Sequence, residues 1–183
     1  MNGFRFLTKL SLAAAISLAI SLTVFAQANG LVSSVRNATV TAAKFNARTN
    51  KIYGPDSPDA LRGSLNLHKV TYRSKDANGR NTVLSGLVVL PSNGAPNGIV
   101  IFNHGTTVYN NHMPSRFKGE EDGTERETAM LAFGSGGYAV LMPDYIGQGD
   151  HTGGHPYPAN VVNAQAGIDM IKPARAFARR STR

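Results

Sequence analysis

The sequence predicts an α/β domain: a β-hairpin leading into strand, helix, strand and helix. Three observations carry this. Residues 98–102 and 138–142 are short, almost wholly apolar runs rich in β-branched residues, the composition of strands covered on both faces. Each run is followed by a Gly-containing loop and then by a segment of helical period, at 125–133 and 159–180. Ahead of them, two alternating stretches flank a turn-forming cluster. A hairpin followed by alternating strands and helices belongs to the α/β class.

The elements follow in chain order. Arg5 and Lys9 precede an uncharged apolar run over 10–25, the pattern of a secretory signal peptide occupying residues 1–26. Val24-Phe25-Ala26 suits cleavage after Ala26, so the mature chain is expected to begin at Gln27. The alternative is a membrane anchor, but the run is shorter than the roughly 20 residues a span requires. Residues 27–64 read as an irregular lead-in, with Gly54-Pro55 and Ser57-Pro58 breaking any regular pattern. The domain proper is expected over 65–183. Residues 67–74 alternate through Val70 and Tyr72, Asp76-Ala77-Asn78-Gly79 supplies the turn, and 81–90 returns as the partner strand until Pro91. The run 98–102 is the third strand, of a kind that sits centrally in a sheet. Met130, Leu131 and Phe133 give the 125–133 helix a face to bury, and Gly134, Gly136 and Gly137 stop it. The fourth strand ends at Pro143-Asp144, before the glycine-rich loop 147–154. The final helix carries Val162, Ala166, Met170, Ala174 and Phe177 at helical spacing, with Pro173 expected to kink or restart it.

Composition narrows the chemistry. Cysteine is absent, which removes disulfides, thiolate metal sites and cysteine nucleophiles and leaves oxygen and imidazole groups. Lys and Arg number 19 against 11 acidic residues, yet Arg5 and Lys9 lie in the leader and Lys172, Arg175, Arg179, Arg180 and Arg183 cluster in the last stretch. No aromatic-rich basic strand or nucleic-acid motif accompanies the charge, so no nucleic-acid partner is expected.

The strongest site candidate is Asn103-His104-Gly105-Thr106-Thr107, because loops at the carboxyl ends of strands place ligands in open α/β sheets. Gly105 lets the backbone turn sharply and present N–H groups, the donors a tetrahedral oxyanion needs, and Thr106 N–H is the expected donor. The plainer alternative is a tight turn with His104 hydrogen-bonded for structure alone. His151 and His155 near Asp144 and Asp150 could suggest a metal, but no helical register holds the two imidazoles on one face; a solvated substrate-side loop is expected, with no metal and no cofactor. Asn37-Ala38-Thr39 fits a glycosylation pattern to which no function is assigned.

A strand ending in His-Gly-Thr, then a helix, then Gly-Tyr-Ala-Val-Leu-Met-Pro-Asp-Tyr-x-Gly-x-Gly, followed by His155-Pro156-Tyr157, resembles bacterial secreted α/β-hydrolases, particularly secretory lipase-like esterases. The likeness extends over 67–177. It implies the N-terminal part of an α/β-hydrolase fold with an incomplete sheet, and a carboxylic-ester hydrolase acting on an ester or lipid. It also implies an oxyanion loop at His104, Gly105 and Thr106, with Thr106 donating, Gly105 permitting the approach and His104 structural. Asp144 resembles a loop-fixing residue, not the triad acid.

The departures matter as much. No serine lies in Gly-x-Ser-x-Gly after a strand: Ser135, in Phe133-Gly134-Ser135-Gly136-Gly137, precedes a strand and reads as a helix-end turn. After Ala159 there is no histidine and only Asp169 as an acid, so the triad is absent and the chain is expected to be inactive by itself. The resemblance places the missing nucleophile strand beside 99–102, and an apolar edge there would invite self-association. The Arg-rich end reads like sequence after a frame change or premature stop, or a solvated tail. The alternatives to an esterase part are a non-catalytic binding module with a basic tail for anionic surfaces, and complementation by a separately encoded C-terminal piece. Secretion or a periplasmic location is expected from the leader.

Overall fold

The computed structural model describes residues 29–55, 61–119 and 125–181. The expected signal peptide lies outside the described residues. Five strands form one open sheet in the order β1-β2-β3-β5-β4: β1 (Leu31–Val40), β2 (Leu65–Lys75), β3 (Asn81–Pro91), β4 (Ile99–Ile101) and β5 (Ala139–Pro143). β1 to β2, β2 to β3 and β3 to β5 pair antiparallel, and β4 to β5 pairs parallel. The helices are α1 (Ala42–Tyr53), α2 (Glu125–Ala129), which runs into a π-helical turn at Met130–Gly134, and α3 (Asn160–Ser181).

The apolar runs are strands because both faces of the sheet are covered. In β5, Ala139 and Leu141 join Val70, Tyr72, Val88 and Met170 on the α3 side, while Val140 and Met142 join Phe45, Leu67, Val89 and Met130 on the α1 and α2 side. All five residues of β5 are buried. Alternation therefore disappears from the sequence: each position has a core to enter. Close approach on the α3 side depends on Gly86, where a Cβ would stand 2.8 Å from the Met142 carbonyl and 3.0 Å from the Met170 side chain.

The hairpin, the β5 strand and both later helices fall where the sequence predicts them. Three features differ. The segment expected to be irregular contains β1 and α1. In β1 only Leu31 and Val40 are buried, so no apolar period shows; pairing along β2 supports it, with Ser33 Oγ 2.7 Å from Thr71 Oγ1 and Thr39 Oγ1 donating to Asn66 at 2.8 Å. α1 is capped by Thr41, which accepts from Lys44 N–H at 3.3 Å, and ends at Gly54 with φ 91°. Its buried residues are few, Phe45 and Thr49 among them, which leaves a weak periodic signal. β4, expected to be covered on both faces, is half-buried throughout because, among the described residues, it pairs on one side only. Pro173 does not restart α3: the helix runs through it, with Pro173 and Ala174 both buried. Burial against the sheet outweighs proline's local preference there.

Candidate active site

β4 and β5 run parallel, so their carboxyl ends lie side by side and their loops, 102–107 and 144–150, meet. The second loop is built around Asp144, which is fully buried and accepts from Ser85 Oγ at 2.5 Å and from Ser115 N–H at 2.9 Å. Ser85 Oγ in turn accepts from Asp150 N–H at 2.9 Å. Burial raises the Asp144 carboxyl above the ordinary carboxylate range, and the bonds from Ser115 and Ser85 oppose that rise. Gly149, at φ 64°, turns the chain so closely that a Cβ would lie 2.0 Å from Asp144 Oδ2. Tyr145 also has positive φ, 72°, alone among the described non-glycine residues. Such backbone persists only where its surroundings hold it.

From this base, two side chains reach the first loop. Tyr145 Oη donates to the His104 carbonyl at 3.2 Å and Gln148 Nε2 donates to the Thr107 carbonyl at 3.0 Å. The His104 ring stacks on Tyr145 with centroids 4.3 Å apart. A third tether comes from α2, where the Glu125 carboxylate accepts from Gly105 N–H at 2.9 Å. His104 Nδ1 stands 2.8 Å from the Gly105 carbonyl, so Nδ1 carries the proton and donates it. Burial holds the His104 imidazole below its ordinary pKa, leaving the ring neutral near pH 7.

These contacts determine where Thr106 N–H points. The Gly105 carbonyl is turned toward the His104 ring, and in a trans peptide the following N–H points the opposite way. Among the described residues the Thr106 N–H meets no acceptor, and Thr106 lines a cavity of about 360 Å³ with His104, Tyr145, Gln148, His155, Tyr157 and Asn163. A second, more apolar space of about 460 Å³ adjoins it, sharing Thr106, Thr107, Gln148, His155 and Tyr157. The arrangement offers the uncommitted Thr106 N–H on a loop tethered from three directions.

No family model and no curated protein sequence matches the chain. Solved structures do. A Legionella pneumophila protein provisionally called a hydrolase superimposes with a TM-score of 0.70 at 28% identity over 82% of this chain. The rice cell wall degrading esterase LipA of Xanthomonas oryzae superimposes with a TM-score of 0.67 at 19% identity over 83% of this chain. The fold is α/β-hydrolase-like. The chain spans 40% and 38% of the lengths of those two proteins.

Within this hydrolase-like fold the remaining candidates are tied into structure. Ser135 closes the π-helical turn and its hydroxyl donates to the Leu131 carbonyl, an ordinary helix-end contact. His151 Nδ1 accepts from Gly147 N–H at 3.1 Å and its Nε2 lies 3.1 Å from Thr82 Oγ1. His155 Nδ1 donates to the Ile146 carbonyl at 2.7 Å. Among the described residues no group of three His, Asp or Glu converges as a metal site would. Asn37 donates through Nδ2 to the carbonyls of Ser115 and Phe117 at 2.9 and 3.2 Å, so its amide serves packing. Sequence reasoning missed Glu125, Gln148 and Ser85. Glu125 lies 20 residues from Gly105 and Ser85 lies 59 from Asp144, separations with no local signature. Gln148 stands inside the glycine-rich motif but carries no chemical cue there.

Proposed function

We propose that this chain is the oxyanion-bearing part of an exported carboxylic-ester hydrolase acting on a small-molecule ester or lipid. The observation that supports it best is the free Thr106 N–H at the mouth of a cavity, at the carboxyl ends of parallel strands. In the proposed reaction, a serine alkoxide adds to the ester carbonyl, whose oxygen takes up the charge. Thr106 N–H donates to that oxygen, Gly105 leaves room for the approach, and His104 holds the Gly105–Thr106 peptide in orientation. A donor held in place before charge develops needs no rearrangement during the step.

These 183 residues contain no Gly-x-Ser-x-Gly and no histidine after His155; in the proposed reading the nucleophile and triad base come from outside them, and the chain by itself is inactive. Purified protein should leave 4-nitrophenyl butyrate unhydrolysed. A segment carrying a serine elbow, acid and histidine, supplied in trans, should restore turnover. In that complex Thr106→Pro, which removes the donor, should lower kcat about 10²- to 10³-fold with little change in KM. Turnover by the chain alone, abolished in Ser135→Ala, would contradict the proposal.

Two subsidiary readings accompany it. Residues 1–26 direct export to the periplasm or medium, and the exported protein should begin at Gln27 on N-terminal sequencing. The open side of β4, beside the shallow apolar space lined by Ile99, Ile101 and Ile171, invites self-association, which sedimentation velocity would register as concentration-dependent mass. A binding module for anionic surfaces is favoured by one observation, the exposure of Lys172, Arg175, Arg179 and Arg180 along α3. Salt-sensitive binding to anionic vesicles, lost when those four become Gln, would support it.

A further inference from the structure

Four aromatic rings line the cavity beside Thr106: His104, Tyr145, His155 and Tyr157. They form a series. His104 and Tyr145 stack at 4.3 Å with planes 26° apart, Tyr145 and His155 follow at 6.2 Å and 21°, and His155 and Tyr157 at 6.3 Å and 40°. The first three are held by bonds to backbone, from His104 Nδ1 to Gly105, Tyr145 Oη to His104 and His155 Nδ1 to Ile146. The last, Tyr157, is 66% exposed, leaving ring surface free. Among the described residues, neither this cavity nor the one adjoining it has an Asp, Glu, Lys or Arg in its lining.

We infer that the cavity is an aryl subsite, which takes a neutral aromatic ring of the ester against Tyr157 and His155 while the ester carbonyl meets Thr106 N–H. The inference rests on the oxyanion reading and adds the substrate class. Aromatic faces are electron-rich and attract the polarised C–H edge of another ring, whereas a saturated ring of the same size offers only apolar area. The described lining holds no Asp, Glu, Lys or Arg to anchor a carboxylate, phosphate or ammonium group. His155, fixed by its bond to the Ile146 carbonyl, loses little freedom when a ligand enters.

The test compares N-phenylbutanamide with N-cyclohexylbutanamide, hydrolysis-resistant analogues of matched shape, titrated into the ¹⁵N-labelled full chain. Burial of area alone favours the cyclohexyl compound. The aryl subsite predicts the reverse, a dissociation constant at least about five-fold lower for the phenyl compound. Tyr157→Leu should remove the preference and Tyr157→Phe should retain it; the exposure of Tyr157 makes both compatible with folding. Equal affinity, a cyclohexyl preference, no binding of either compound, or a preference surviving Tyr157→Leu would overturn the inference. The Thr106 amide separates the two proposals. A phenyl preference without a shift at Thr106 keeps the aryl subsite and removes the oxyanion role. Equal affinities, with a shift at Thr106 from both compounds, keep the oxyanion role and remove the subsite.

Discussion

The two loops at the carboxyl ends of β4 and β5 occupy equivalent places and are built oppositely. The loop after β5 is wound around a fully buried carboxylate, and its polar groups are largely committed to partners in β3 and in the 110–115 segment: Asp144 to Ser85 and Ser115, Asp150 N–H to Ser85, and Gly149 N–H to Asn110. The loop after β4 is exposed at Gly105 and Thr106 and depends on its neighbours for shape. One loop is a foundation and the other an instrument mounted on it. In the proposed role, a donor kept free for a ligand cannot also hold its own loop in place. Rigidity therefore has to be supplied by other groups, here Tyr145, Gln148, Glu125 and His104.

If the β5 loop is the foundation, the largest effect should come from filling its closest approach. Gly149→Ala would put a Cβ 2.0 Å from Asp144 Oδ2 and 2.3 Å from Ser85 Oγ, at a φ that L-residues rarely adopt. A loss of about 3 kcal/mol or more is expected in urea unfolding. A loss under about 1 kcal/mol would mean the loop has slack. Ser85→Ala comes next: it leaves Asp144 Oδ2 and Asp150 N–H without their shared hydroxyl, in a residue that is fully buried, for about 2 kcal/mol.

The same contrast explains what could be read in advance. The hairpin, β5, α2 and α3 were legible because burial on known faces leaves its period, or its continuous apolar run, in the sequence. That the His104-Gly105-Thr106 segment is a loop at the carboxyl end of a strand was legible because its residue types follow an apolar run directly. β1 was hidden, since an edge strand with only Leu31 and Val40 buried is stabilised by a ladder of backbone pairs that any residues can make. Glu125, Ser85 and Gln148 were hidden for a related reason: each acts on a backbone group of a distant segment, and a backbone N–H or carbonyl has no sequence identity. The free donor can be guessed from local residues; the scaffold that aims it cannot.

Loosening the instrument should cost much less than loosening the foundation. Glu125→Ala removes the acceptor on Gly105 N–H, an exposed contact worth about 1 kcal/mol at most. Global stability should fall by no more than that, while Gly105 amide exchange should quicken by a factor of about five. Glu125→Gln, whose amide oxygen can still accept, should recover part of the protection. Unfolding of the whole domain in Glu125→Ala would erase the distinction between the two loops.

The smallest effect is the most diagnostic, because it reads the His104 ring itself. Its folded pKa is depressed by burial, so between that value and the ordinary one near 6.5 the unfolded chain binds a proton that the folded chain does not. Stability contributed by the neutral ring is therefore complete above about pH 6.5 and falls as the pH drops through that window. His68, whose pKa is also lowered by burial and by Arg36, adds a slope of the same sign, so a single titration cannot assign the effect. His104→Gln should flatten part of the fall in stability below about pH 6.5, and the His68→Gln, His104→Gln pair should flatten more of it. A ring that only fills space would leave the Thr106 amide resonance insensitive to pH over the same range. A ring that donates to the Gly105 carbonyl should move that resonance with its own titration, since protonation strengthens the bond to the carbonyl of the very peptide whose N–H belongs to Thr106.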